Sequence, residues 1–256
     1  MKRPGALFQP VLELLAALGR RFHFLAVSVT LIPSVLGRPR SFIEQLFYLG
    51  SVSVILIAVG GLFVGLVLTL QFYSALSRFG ATSSLGGLVT LALLRELGPV
   101  LTALLFAGRA GTSLASELGL MRATRQIDAM EVMAVDPMRR VVAPRFLAGL
   151  LAMPLLAGIF SAMGVLGSYL IGIKMMGLDP GVFWSSMRHE VSFHSDFMNG
   201  MVKSLIFGVA CSLISLYEGF HARPTAEGVG RATTRSVVIS SMTILALDFL
   251  LTSLMF

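Results

Sequence analysis

Five apolar runs, each long enough for the ~20 residues that cross a bilayer, constrain this sequence more than any other feature. Apolar residues make up 55% of the 256 positions and charged residues only 13%. That composition excludes a soluble globular core as the main structural unit. We therefore predict an all-α polytopic membrane protein, whose membrane domain covers residues 46–256 and crosses the bilayer at about residues 46–71, 85–107, 146–173, 197–217 and 236–256.

The distribution of Lys and Arg predicts the orientation of these spans. With the N-terminus inside, fifteen Lys and Arg residues fall on the cytoplasmic side and four on the other, with Arg95 set aside. This bias follows the positive-inside rule and predicts an N-in, C-out topology. It also explains the net charge of +7 without a nucleic-acid partner.

Residues 1–45 form a separate basic region with two modest apolar stretches. Val11–Leu18 is too short to span a bilayer, and Phe22–Leu36 is interrupted by Pro33. We interpret both as amphipathic helices in the cytoplasmic interface. A signal peptide is the alternative, but no small-residue cleavage site follows.

The second predicted span carries charges where lipid is expected. Arg95 and Glu96 lie inside it, and Pro99 disturbs the hydrogen bond to the carbonyl of Arg95. Lys203 and Asp248 lie inside the fourth and fifth spans. Counted at ~1.5 Å per residue, all four charges fall on the order of 10 Å below the outer boundary.

Intramembrane charges of this kind are expensive and indicate function. Arg95 and Glu96 are adjacent and point ~100° apart, so each needs a partner elsewhere. We predict a polar layer in the outer half of the membrane, with Lys203 and Asp248 paired. A purely structural ion pair is the alternative for those two residues.

The second span continues without a breaker past Arg109 into a polar segment, Glu117–Val135, which ends before Asp136 and Pro137. We predict one cytoplasmic helix here. One stripe of this helix is apolar, but Met121, Val132 and Met133 lie off the stripe, which favours more than one packing partner. The alternative is a helix that rests on the membrane surface.

Small residues repeat every four positions at several helix faces and predict close helix contacts. Gly61 and Gly65 form such a pair in the first span. This pair could pack against another helix of the same subunit or against a second copy of the chain. The other repeats are Ala107, Gly111, Ala115 and Gly119, and Gly164, Ser168 and Gly172.

Three motifs of enzyme chemistry are excluded. His189 and His194 are five residues apart, ~140° around a helix, so they do not form a zinc-protease pair. The Gly228–Thr233 segment follows a helix and not a strand, which excludes a dinucleotide site. The sequence contains no phosphate-binding G-x-x-x-x-G-K-[ST] loop, and its one cysteine, Cys211, allows no intrachain disulfide. Any ATP chemistry must belong to another chain, and no metal site is expected.

The sequence resembles the MlaE family of ABC-transporter permeases. The resemblance is carried by LLRELGPVLTALLFAGRAGTSLASELGLMRATRQIDAMEVMAVDP and continues through RRVVAPRF, PTAEGVGRATTRSVV and LDFLLTSLMF. It covers most of the chain from about Ile43 onward.

The resemblance implies a homodimer in the bacterial inner membrane that carries phospholipid between the inner and outer membranes and so maintains outer-membrane lipid asymmetry. The implied partners are a cytoplasmic ABC ATPase that binds ATP and Mg, a STAS-like small subunit and a periplasmic hexamer of MCE domains. The chain itself would be a transporter permease and not an enzyme, with no cofactor of its own. Segment 117–135 would be the coupling helix, contacting the ATPase through Leu120, Arg122, Ile127, Met130, Glu131 and Met133.

The resemblance also implies a lipid cavity at the dimer interface. Its lining would comprise Leu66, Leu70, Gln71, Leu76, Phe79, Arg95, Glu96 and Leu97. Two other functions stay open: a secondary transporter with Glu96 or Asp248 as a proton relay, and a scaffold that only anchors a periplasmic lipid-binding ring. The first would need no ATPase, and in the second the charges would be dispensable.

Overall fold

The structure is a computed structural model that describes residues 9–37 and 39–255, and every regular element within them is helical. Residues 1–8, Arg38 and Phe256 lie outside the described residues, and with them part of the predicted N-terminal basic region and the end of the last predicted span. The helices are α1 (Gln9–Thr30), α2 (Ile32–Leu36), α3 (Pro39–Ser77), α4 (Thr82–Ala123), α5 (Gln126–Val132), α6 (Met138–Met175), α7 (Pro180–Glu190), α8 (Ser195–Phe220) and α9 (Ala226–Met255).

The prediction of five spans is confirmed: α3, α4, α6, α8 and α9 are long and apolar enough to cross a membrane. Each extends beyond its predicted span at one or both ends, because the helical backbone continues into segments where the sequence turns polar. α4 is the longest at 42 residues. It therefore includes both the second span and the beginning of the predicted coupling helix.

The five long helices are arranged around α4. Helix α3 packs along α6, α6 along α8, and α8 along α9, while α4 contacts all four of them. Within the described residues, α3 and α9 share no extensive contact. One side of α4 is therefore left open between the first and last spans.

Small residues permit the closest contacts, as the sequence predicts. A Cβ added at Gly61 would overlap the carbonyl of Phe160, and one added at Gly65 would overlap the carbonyl of Gly164. The Gly61–Gly65 pair therefore packs within the subunit, against α6. At the lower end of α4, Gly111 faces Ser215 of α8.

Gly65→Ala is expected to destabilise the fold, because the new methyl group would overlap a backbone atom that cannot rotate away. Overpacking of this kind costs about 1–3 kcal/mol. Gly158→Ala on α6 is the matched control, because nothing lies within 4 Å of a Cβ built there. Thermal unfolding of the two detergent-purified variants checks this, and equal midpoints would contradict the packing.

The prediction of one unbroken helix from Glu117 to Val135 is wrong. Helix α4 ends at Ala123, and Arg125 adopts a left-handed conformation (φ 57°) that turns the chain into α5. An Arg122–Asp128 ion pair of 2.8 Å spans the corner. The turn returns the Ile127 side chain to the protein interior, where it is fully buried, and this burial favours the bend although no Gly or Pro marks it.

Residues 174–197, which connect the third and fourth predicted spans, contain helix α7. Asp179 caps it, since its Oδ1 accepts a hydrogen bond of 3.0 Å from the Val182 amide, and Pro180 occupies the first turn. An Asp followed by Pro is a standard helix start. α7 packs against the first turns of α4 and the last turn of α6.

At the opposite end of the molecule, α1 is attached to the last turns of α8. Arg21 forms an ion pair of 2.9 Å with Glu218, and Phe24 packs edge-on against Tyr217. The N-terminal segment is therefore anchored to the membrane domain. Its predicted position in the bilayer interface stays a prediction.

Candidate functional site

A buried lysine organises the polar layer. The Lys203 side chain is 2% exposed, and its Nζ donates hydrogen bonds to Glu96 Oε1 at 3.0 Å and to Thr252 Oγ1 at 2.7 Å. Asp248 Oδ1 lies 3.6 Å from the same nitrogen. The expected Lys203–Asp248 pair thus has a third charged member, Glu96, which lies closer to the lysine than Asp248 does.

Arg95 has a different acidic partner. Its Nε donates to Asp196 Oδ1 at 2.6 Å, and the Asp196 side chain is 1% exposed. Asp196 also accepts a hydrogen bond of 2.7 Å from the Ser192 amide through Oδ2. The adjacent charges on α4 are therefore satisfied separately, by α8 at two different heights.

A local irregularity in α4 places these two side chains. Leu93–Leu97 forms a π turn, in which the Gly98 amide donates to the Leu93 carbonyl five residues back. Pro99 follows at once and has no amide hydrogen to continue regular α-helical bonding. Single π turns inside helices are frequent at functional sites, and this one contains both Arg95 and Glu96.

Three charges of the layer stay partly exposed in the single chain. The side chains of Arg95, Glu96 and Asp248 are 29%, 34% and 24% exposed, respectively. Hydrocarbon does not tolerate exposed charge, so such groups face a water-filled cavity, a polar ligand or another protein surface. The open side of α4 between α3 and α9 is where Glu96 on α4 and Asp248 on α9 come together.

The other predicted lining residues have graded exposure. Leu70 and Gln71 near the C-terminal end of α3 are exposed, and Phe79 in the following turn is 84% exposed. Leu66, Leu76 and Leu97 are half-buried. Leu76 packs against the core, so only part of its side chain is available to contact a lipid. The role of all six in lipid binding stays a prediction.

The predicted coupling residues divide into exposed and buried ones. Leu120 and Met133 are 59% and 67% exposed, Glu131 is exposed, and Met130 is half-buried. Arg122 is held in its ion pair with Asp128 at the α4–α5 corner. Ile127, expected to contact a partner, is instead fully buried and holds α5 against the body of the protein.

Three participants in these sites are not found by sequence reasoning. Asp196 looks like a loop residue because it precedes an apolar run by one position, and Thr252 looks like an ordinary polar residue in a span. Both are at the depth of the charges they contact. Val132 is 88% exposed, more than Leu120 or Met133, and its position off the apolar stripe is the sequence signal that could have found it.

Comparison with known proteins gives one consistent family. Residues 42–254 match the family described as Permease MlaE. The chain is 48% identical over 252 residues to the intermembrane phospholipid transport system permease protein MlaE of Haemophilus influenzae, covering 98% of this chain and 97% of the relative.

More distant relatives are similar over most of the chain. A probable ABC transporter permease protein of Rickettsia felis is 41% identical over 235 residues, which is 92% of this chain and 90% of the relative. The chloroplastic protein TRIGALACTOSYLDIACYLGLYCEROL 1 of Arabidopsis thaliana is 35% identical over 217 residues, covering 85% of this chain and 62% of the relative.

Proposed function

The chain belongs to the MlaE family of permeases, and from that premise we propose that it is the membrane subunit of an ABC transporter that moves phospholipid between the inner and outer membranes of a Gram-negative bacterium. It is a multi-pass transporter subunit and not an enzyme, and an ATPase partner supplies the energy. Outer-membrane lipid asymmetry is the property that this transport maintains.

The single observation that carries the substrate assignment is the polar layer on the open side of α4. It brings cationic and anionic side chains together inside an apolar surround, which suits a molecule with a charged headgroup and long acyl chains. Arg95 supplies a planar guanidinium, which binds phosphate well. Exposed Leu70 and Phe79 near the outer end of the same side offer apolar contact for acyl chains.

A homodimer is proposed because the open side needs a cover. If two copies associate through the side formed by α3 and α9, the partly exposed Arg95, Glu96 and Asp248 are enclosed between the subunits. The outer stripe of α9 supports this, since Met242, Phe249 and their neighbours are strongly exposed. The resulting cavity would be wide enough for two acyl chains, which a single five-span chain does not enclose.

The remaining partners are proposed on family membership and on the exposed coupling segment. The α4–α5 corner would dock on the cytoplasmic ATPase, which binds ATP and Mg and carries the STAS-like subunit. The hexameric MCE-domain ring would lie over the opposite end, near α7. This arrangement requires the N-in, C-out orientation in the inner membrane.

Reconstitution tests the proposal against both alternatives. We expect vesicles containing the permease, its ATPase and the MCE-domain protein to transfer labelled phospholipid only when ATP is supplied. Arg95→Ala should abolish most of that transfer while the complex stays assembled. Transfer driven by a proton gradient without ATP would instead identify a secondary transporter, and an assembled complex without ATP-driven transfer would identify a scaffold.

A further inference from the structure

A second lipid-sized groove lies on the outer surface of the protein, between α3 and α6. It consists of two depressions, each about 750 Å³ and open to the surroundings. The upper one is apolar, with Ile43, Phe47, Val54, Leu155 and Ile159 in its walls. The lower one is mostly polar and is lined by Val35 of α2 together with Arg40, Ser41, Glu44, Arg139, Arg140 and Pro144.

The helix register places the polar depression directly below the apolar one. Gly61 faces Phe160 and Gly65 faces Gly164, so α3 and α6 run side by side in the same direction. Extrapolated down both helices, residues 40–44 are level with residues 139–144. Ile43 of the apolar depression lies between Ser41 and Glu44 of the polar one in the sequence of α3, so the two depressions are neighbours along this helix.

The polar depression has an excess of positive charge. It contains three arginines and one acid, Glu44, which forms an ion pair of 3.0 Å with Arg40. Arg139 and Arg140 are exposed, and within the described residues neither forms an ion pair. The nearest other acid in sequence is Asp136, which accepts a hydrogen bond of 2.9 Å from the Met138 amide.

The dimensions fit one leaflet. From Ile43 to Val54 the groove follows α3 for ~17 Å at 1.5 Å per residue, close to half of a ~30 Å hydrocarbon core. Basic pockets between helices at the membrane edge bind anionic headgroups. A guanidinium group can donate two parallel hydrogen bonds to the oxygens of one phosphate.

We propose that this groove is a binding site for an anionic phospholipid of the leaflet next to the coupling segment. Arg139 and Arg140 hold the phosphate, and an acyl chain occupies the apolar depression between α3 and α6. The site is separate from the polar layer, which lies near the other end of α4 on the side between α3 and α9. Assignment to the cytoplasmic leaflet rests on the proposed orientation, whereas the site itself does not.

The position of the two arginines connects the site to the coupling segment. On their other flank, Arg139 and Arg140 line a depression together with Met130 and Met133 of the coupling segment. A bound headgroup neutralises the arginines and restrains the start of α6, only a few residues after α5. Anionic lipid should therefore change how firmly the ATPase is held.

Native mass spectrometry of the detergent-purified complex, titrated with phosphatidylglycerol or phosphatidylcholine, tests the site. We expect wild type to retain phosphatidylglycerol preferentially and the Arg139→Gln/Arg140→Gln double variant to retain several-fold less. The control is Arg223→Gln/Arg231→Gln, which removes the same charge from the segment before and within α9. Equal retention of the two lipids by wild type, or unchanged phosphatidylglycerol retention in the double variant, overturns the proposal.

A second variant tests the apolar half without risk to the fold. Gly50 lies in the wall of the groove, and nothing is within 4 Å of a Cβ built there, so Gly50→Leu should fill the groove and lower phosphatidylglycerol retention. If Gly50→Leu instead releases a partner subunit and leaves lipid retention unchanged, the groove seats a protein helix and the proposal is wrong. Neither Arg139→Gln/Arg140→Gln nor Gly50→Leu changes Arg95, Glu96 or Asp248, so their effect on phosphatidylglycerol retention is measured independently of the transport proposal.

Discussion

Membranes producing the Lys203→Met variant are expected to contain much less folded permease than wild-type membranes. The substitution keeps an unbranched side chain but removes the ammonium that contacts Glu96, Asp248 and Thr252. Two carboxylates are then left facing each other without a cation. Loss of one member of a buried ion pair costs about 3–5 kcal/mol, which is a large share of the stability of a typical domain.

Graded variants separate the contributions of the two acids. Asp248→Asn leaves the shorter Lys203–Glu96 contact in place and should cost less than Lys203→Met. The charge-swapped double variant, Lys203→Asp with Asp248→Lys, should recover part of the loss. Lys174→Met, at an exposed position on α6, is the matched control and should resemble wild type.

Thermal unfolding of detergent-purified protein, together with the yield of monodisperse protein, provides the measurement. A Lys203→Met variant as stable as the Lys174→Met control would show that the cluster contributes nothing to the fold. A swapped double variant no better than the sum of its two single variants would show that Lys203 and Asp248 do not interact.

The second large effect is expected at the α5 corner. Val132→Asp should release the ATPase from the purified complex while the permease still folds and inserts. Val132 is 88% exposed and Met133 is 67% exposed, so an acid at position 132 disturbs no packing within the chain. A carboxylate at the centre of an apolar docking surface, however, would be buried without a partner.

Co-purification measures this effect directly, as the ratio of ATPase to permease after affinity capture of the permease. Val182→Asp on α7 is the matched control, because it makes the same substitution at a partly exposed valine at the opposite end of the molecule. Met133→Asp should act like Val132→Asp. Retention of the ATPase at the control level in both variants would remove α5 from the docking surface.

The depth of the charged layer could be predicted from the sequence because helix rise converts position into height. Counting residues placed Lys203 and Asp248 at one level, and the structure has them 3.6 Å apart. The same counting shows that Arg95 and Glu96 cannot satisfy each other. The partners of Arg95 and Glu96 could not be predicted from the sequence, because the choice of partner depends on how α4 and α8 are rotated about their axes.

Local irregularities were harder to predict than depth. Pro99 predicts an irregularity in α4, but not that it takes the form of a π turn over Leu93–Leu97, where Gly200 of α8 lies close to the Leu94 carbonyl. The bend at Arg125 has no local signal, since its driving force is the burial of Ile127 by distant residues. The family resemblance therefore implied a partner contact for Ile127, whereas this side chain is fully buried within the chain.

Photo-crosslinking of lipid in cells tests the central proposal, that Arg95 and Glu96 form the polar wall of a phospholipid cavity. A photoreactive residue at Leu97, one position after Glu96, is compared with one at Ile55, which is 75% exposed on α3. Each is placed in wild-type and Arg95→Ala backgrounds. We expect captured phospholipid at position 97 to fall several-fold in the Arg95→Ala background and to stay unchanged at position 55, whereas equal capture at position 97 in the two backgrounds would contradict a cavity at this layer.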